Sequence, residues 1–157
     1  MVKIFNHEGF KVINSLKFNP ELLMRKKNYT NIKINNLYKK DIKKGIKTIN
    51  SLTKINQKIG QAVVIKNGSI VSMEDARGTD DMLNKIKKID KGAILVKLPK
   101  KNQDLRIDLP TIGIKTIKKC IKKGFKGIAL KANKSIFLDK KQAIRLANKR
   151  RIFICGV

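Results

Sequence analysis

Acidic residues are scarce in this chain, 11 against 38 lysines and arginines, so the places where they gather are informative. Glu74, Asp75, Asp80 and Asp81 crowd one polar stretch, and Asp104 and Asp108 crowd another. Hard divalent cations such as Mg²⁺ take oxygen ligands, typically one or two carboxylates together with substrate phosphate. Both stretches follow segments that read as strands, and α/β folds place their sites on loops at strand ends. Two acid clusters in a basic chain therefore point to a metal–phosphate site. The plainer reading is capping residues in a solvated loop and a surface ion-pair cluster around Arg106.

Spacing restricts what the second cluster can do. Four positions separate Asp104 from Asp108, roughly 5–6 Å between Cβ atoms on a helix but about 13 Å along an extended strand. Pro110 disfavours helical geometry at Leu109. The two aspartates can share a metal only if the chain turns back between them; otherwise they do separate jobs. Arg106 can hold a carboxylate or clamp a phosphate oxygen in bidentate fashion. His7, the one histidine, reads as an exposed helix residue beside Glu8, and Gly60 with Gln61 reads as a turn. Cys120 and Cys155 lack CxxC spacing and fall on apolar patterns, so both are expected as core thiols in a reducing cytoplasm.

The elements that must position these residues follow from periodicity. Residues 2–10 read as a short helix ending at Gly9, and residues 10–13 as a strand. Residues 28–36 are polar and irregular, the strongest candidate for a mobile loop. Ile42, Ile46 and Ile49 recur at helical spacing and predict an amphipathic helix over 38–52. Residues 62–65 and 69–72 flank Asn67 and Gly68, a pair suited to a type I′ hairpin turn. Thr79 is placed to cap a helix starting near Asp80. Strands are expected at 93–96, 127–130, 135–138 and 152–155, with helices at 114–123 and 140–150. The alternation predicts an α/β class: a single domain with a mixed β-sheet, a β-hairpin and flanking helices.

Length and charge set outer bounds. At 157 residues the chain is one domain with a short lead-in, long enough to bury an aliphatic core without staples. A formal charge of +27 attracts polyanions of any kind. The lysines are nevertheless spread over every segment, as codon drift in an AT-rich genome would produce. The start of the chain does not read as a signal peptide, and no apolar run is long enough to cross a bilayer.

The acid-bearing stretches also carry a resemblance. The blocks Ile59-Gly-Gln-Ala-Val-Val-Ile65, Gly78-Thr-Asp80, Ile94-Leu-Val-Lys97 and Gln103-Asp-Leu-Arg-Ile-Asp-Leu-Pro-Thr-Ile-Gly113 resemble, in order and spacing, the C-terminal domain of the LpxI family. His7 to Ile13 resembles its lead-in and Ile136 to Asp139 its closing segment. The family consists of UDP-2,3-diacylglucosamine diphosphatases. The resemblance implies cytoplasmic hydrolysis of that substrate to UMP and 2,3-diacylglucosamine 1-phosphate (lipid X) in lipid A biosynthesis, with Mg²⁺ or another divalent cation. It implies water attacking the phosphorus on the sugar side, with Asp104 and Asp108 as catalytic carboxylates and metal ligands. Asp80 and Glu74 would be further metal ligands, and Gln103, Arg106, Lys97, Gly78 and Thr79 would bind substrate. On this reading Asp104→Asn abolishes UMP release.

Departures accompany the match. Arg77 stands where the family usually has an acid, Asp75 where a small residue is usual, Lys101 where proline is common and Lys58 where an acid is frequent. The implied organisation is a lead-in over residues 1–57 and a catalytic domain over 58–157, with the family's N-terminal domain absent or on a separate chain. Partners implied are that domain, the inner-leaflet membrane surface and a second copy in a homodimer; no nucleic acid is expected. Two other functions compete: a basic nucleic-acid-binding protein, and a non-catalytic subunit awaiting an N-terminal partner. Against the first, no aromatic residues punctuate the basic stretches as stacking platforms.

Overall fold

The computed structural model describes residues 2–55, 60–87, 92–100 and 103–157, so Lys58, Ile59 and Lys101 lie outside the described residues. The elements run α1 (Val2–His7), α2 (Asn36–Ile55), β1 (Ala62–Lys66), β2 (Ser69–Met73), α3 (Thr79–Lys85), β3 (Ile94–Lys97), β4 (Thr111–Ile112), α4 (Ile114–Lys122), β5 (Gly127–Leu130), β6 (Ile136–Phe137), α5 (Lys140–Lys149) and β7 (Phe153–Gly156). Two short 3-10 turns, Ser15–Lys17 and Pro20–Leu22, follow α1. A five-stranded sheet in the order β2-β1-β3-β5-β7 forms the centre, and β4 and β6 make a separate parallel pair.

The hairpin makes the sheet mixed. β1 is antiparallel to both β2 and β3, whereas β3, β5 and β7 run parallel. Asn67 and Gly68 take φ of 51° and 77°, the left-handed pair expected of the turn. A buried carboxylate reinforces it: Asp41, on α2, accepts the amides of Asn67 (3.0 Å) and Gly68 (2.7 Å).

Strand alternation divides the core into two layers. Val64, Leu95, Ile128 and Ile154 face α3, α4 and α5. Val63, Ile65, Ile94, Val96 and Phe153 face α2 through Ile42 and Ile49. α2 lies very close to the sheet, because a Cβ at Gly45 would come within 2.6 Å of Val96 Cγ2. Glycine costs about 1 kcal/mol in a helix interior, and here it permits the close approach.

Several local expectations differ from the structure. Residues 10–13 form no strand: Phe10 and Ile13 are 66% and 41% exposed, and among the described residues no strand pairs with them. The apolar, β-branched pattern was there without a sheet to use it. Residues 28–36 are irregular as expected but tethered. Tyr29 donates its amide to Ile154 O (2.8 Å), Gly156 donates to Lys27 O (2.9 Å), and Asn28 bridges Cys155. Residues 24–30 thereby cover the outer edge of β7. The Asn35 carboxamide accepts the Tyr38 amide (2.9 Å) and caps α2, which starts earlier than the periodicity indicates. Gly78, at φ 88°, occupies the cap position of α3, and Thr79, the expected cap, is its first helical residue. Both cysteines are free and buried as expected; burial pushes the Cys155 thiol up to about 12 and the Cys120 thiol higher still.

Candidate functional site

β3 carries the central side chain out of the core. Ile94, Leu95 and Val96 are fully buried, and Lys97, the last residue of the strand, stays 7% exposed. Its ammonium donates to Thr79 Oγ1 at 2.9 Å and to the Thr111 carbonyl at 3.2 Å. Thr79 in turn donates its hydroxyl to Glu74 Oε2 at 2.5 Å. Glu74 is itself 7% exposed. A lysine from β3, a threonine from the first turn of α3 and a glutamate just past β2 thus form one buried relay.

Backbone geometry fixes the relay at its acidic end. Glu74 extends the hairpin ladder by donating its amide to Ala62 O (2.9 Å) and accepting the amide of Gly60 (2.8 Å). A Cβ at Gly60 would come within 2.3 Å of Glu74 Cγ, so only glycine fits there. The sequence offered Gly60 merely as a turn; its task is to let the Glu74 side chain pass.

Electrostatics pull in opposite directions at Lys97. Burial lowers its proton affinity from the ordinary lysine value, while Glu74, Asp80 and Asp108 raise it. Asp80 and Asp108 are exposed at the margin of the relay, near enough for their charges to reach the buried ammonium. Asp80 also meets Lys119 of α4 at 3.0 Å.

The second acid cluster folds into a turn. The amides of Ile107 (3.2 Å) and Asp108 (3.0 Å) both donate to Asp104 O, so the chain does turn back between the two aspartates. Their carboxylates nevertheless have different partners. Asp104 accepts the Arg106 amide (3.0 Å) and its guanidinium in bidentate fashion (2.9 and 2.7 Å). That guanidinium holds the exposed Asp104 carboxyl down at about 2. Asp75 and Arg77 repeat the same two-residue clamp on the first acid loop, and Asp75 too is held at about 2. Asp81 is drawn into ion pairs with Arg77 (3.3 Å) and Lys85 (2.7 Å).

The structure therefore brings Lys97, Thr79 and Glu74 together, with Gly78 beside Thr79 and with Asp80 and Asp108 within reach of the Lys97 charge. Asp104 and Arg106 form a separate exposed pair on the same turn as Asp108. Gln103 precedes them; its Oε1 accepts the Lys100 amide at 2.7 Å, while its buried Nε2 has no partner among the described residues. Among the described residues, no three carboxylate, histidine or cysteine side chains gather closely enough to hold a metal by themselves. Sequence reasoning missed Gly60, the Thr111 carbonyl and the burial of Lys97; none announces itself in residue type.

Comparison with known proteins bears on the same stretches. The model of the LpxI C-terminal domain matches residues 25–155. The UDP-2,3-diacylglucosamine pyrophosphatase LpxI of Caulobacter vibrioides is 26% identical over 162 aligned residues, which cover 98% of this chain and 57% of that protein. The chain thus spans little more than half the length of this curated relative. A match that takes in the relay, both acid loops and the central sheet up to Cys155 in its last strand places the chain in the LpxI family, as a form of its C-terminal domain.

Proposed function

We propose that the chain is the phosphate-handling part of a UDP-2,3-diacylglucosamine diphosphatase acting in lipid A biosynthesis. The observation that carries this reading is the buried Lys97–Thr79–Glu74 relay with two exposed carboxylates, Asp80 and Asp108, at its margin. A fixed ammonium in a poorly hydrated setting stabilises charge on a phosphoryl group more strongly than one in water, and needs no reorganisation to do so. Thr79 and Glu74 hold that ammonium in place. Asp108 orients a water toward the sugar-side phosphorus and accepts its proton as the new P–O bond forms and UMP departs. Arg106, held by Asp104, supplies donors to phosphate oxygens, and Gln103, whose buried Nε2 has no partner among the described residues, stands beside it on the same loop.

The family implies a divalent cation. The donors here that suit one are Asp80 and Asp108, exposed carboxylates of the hard oxygen type. Two carboxylates make an incomplete shell, which fits an ion that shares its ligands with the diphosphate. When bound, such an ion supplies charge neutralisation on phosphate oxygens and acidifies coordinated water.

The test is UMP release from UDP-2,3-diacylglucosamine with Mg²⁺, by this chain alone and with the N-terminal domain of a family member supplied. Turnover that disappears in Asp108→Asn and Lys97→Met supports the assignment. Turnover that survives both substitutions refutes it.

A further inference from the structure

The turn that carries Asp104 and Asp108 has little to hold it in place. From Asp104 to Asp108 every residue is exposed or half-buried, and none belongs to the core. The bonds that shape the turn are local: Ile107 and Asp108 donate to Asp104 O, Arg106 clamps Asp104, and Gln103 Oε1 accepts the Lys100 amide. Only beyond the turn is the chain fixed, where Pro110 is buried and its carbonyl accepts the Ile136 amide at 2.9 Å.

One bond reaches the turn from a distant part of the chain. Asn14 Nδ2 donates to the Leu105 carbonyl at 3.2 Å, across 91 positions of sequence. Among the described residues, no other hydrogen bond joins residues 104–108 to anything outside the 100–111 stretch. The oxygens of Asn14 have a separate task. Its Oδ1 accepts the Leu16 amide at 2.9 Å and its carbonyl accepts the Lys17 amide at 3.0 Å, so Asn14 caps the 3-10 turn Ser15–Lys17. Aspartate or serine would serve equally as a cap. The amide nitrogen is what asparagine adds, and it points to Leu105.

We infer that Asn14 is a positioning residue for the diphosphatase reaction: it tethers Leu105 and so keeps Asp108 in register with the Lys97 relay. A reacting group misplaced by about 1 Å can lose about 100-fold in rate, and without Asn14 the turn has that freedom. This rests on the diphosphatase reading and extends its working parts to the lead-in segment.

Asn14→Asp separates the two tasks, because it keeps the cap and the side-chain shape but sets an acceptor against the Leu105 carbonyl. In hydrogen exchange followed by NMR, the Ile107 and Asp108 amides should exchange about fivefold faster in this variant, the factor for one net hydrogen bond. The Leu16 amide should not change. With the N-terminal domain of a family member supplied, kcat for UMP release should fall about tenfold. In an Asp108→Asn background the same substitution should cost less than about twofold, because Asn14 acts through Asp108. A generally loosened fold would lower both backgrounds alike. Should Asn14→Asp misfold, Asn14→Ser decides by the same readouts, since serine caps but is too short to reach Leu105.

Unchanged exchange at Ile107 and Asp108, or equal losses in the two backgrounds, overturns the tether. So does a native kcat in Asn14→Asp, and that outcome leaves the hydrolase reading standing. Absence of UMP release even from the native chain, with exchange responding as expected, sinks the hydrolase reading instead and reduces the tether to a feature of the fold.

Discussion

Two clusters in this molecule each set a cationic side chain near a carboxylate and end in different states. At Asp104 and Arg106 a carboxylate and a guanidinium meet two residues apart, in water, through a clamp that the local chain makes by itself. At Lys97, Thr79 and Glu74 the groups come from three separate elements and meet where solvent is largely excluded. The exposed pair is screened, and pairs of its kind contribute little. The buried relay cannot be indifferent, since an ammonium without its partners there would carry a large desolvation penalty. Residue type therefore marks where chemistry is available, and burial decides which copy of it can do work.

That contrast can be broken at several points. The largest effect is expected from Lys97→Met and Asp108→Asn, each lowering UMP release by about 100-fold or more. Asp104→Asn should cost less than about tenfold, because it loosens a solvated pair. Equal losses for Asp104→Asn and Asp108→Asn would erase the distinction drawn here and restore the two aspartates as one unit. Gly60→Ala should destabilise the fold by about 1–3 kcal/mol in urea unfolding, as overpacking does, and should lower activity with it by displacing Glu74. Asp41→Ala should destabilise by about 1.5–3 kcal/mol, typical for hydrogen bonds to a charged group, yet leave turnover per folded molecule unchanged, since it holds the hairpin turn and not the relay.

The smallest effect is a titration. The Asp104 carboxyl carbon should titrate near 2 by NMR, and Arg106→Gln should return it toward 3.8. The folded value lies below the ordinary one, so the clamp is fully formed above pH 3.8 and lost as pH falls through about 2.

Much of the fold was legible because it is written locally. The hairpin follows from Asn67 and Gly68, and α2 from the spacing of Ile42, Ile46 and Ile49. Residues 10–13 misled because apolar alternation describes a surface that wants a partner, and no partner strand lies beside it among the described residues. The site was legible as a set of stretches and illegible as an arrangement. Asp104 and Asp108 look equivalent in sequence, and only the turn between them shows one facing Arg106 and the other within reach of Lys97's charge. Thr79 looked like a cap because capping is a local act; its hydroxyl instead serves Glu74 and Lys97.

The strap formed by residues 24–30 has a practical consequence. It satisfies backbone groups along the last strand of the sheet through Tyr29, Lys27 and Asn28. A fragment trimmed to begin after residue 30 would bare a row of amides and carbonyls, an invitation for neighbouring molecules to stitch on. Trimming from the front should therefore stop short of Met24 if the remaining piece is to resist aggregation.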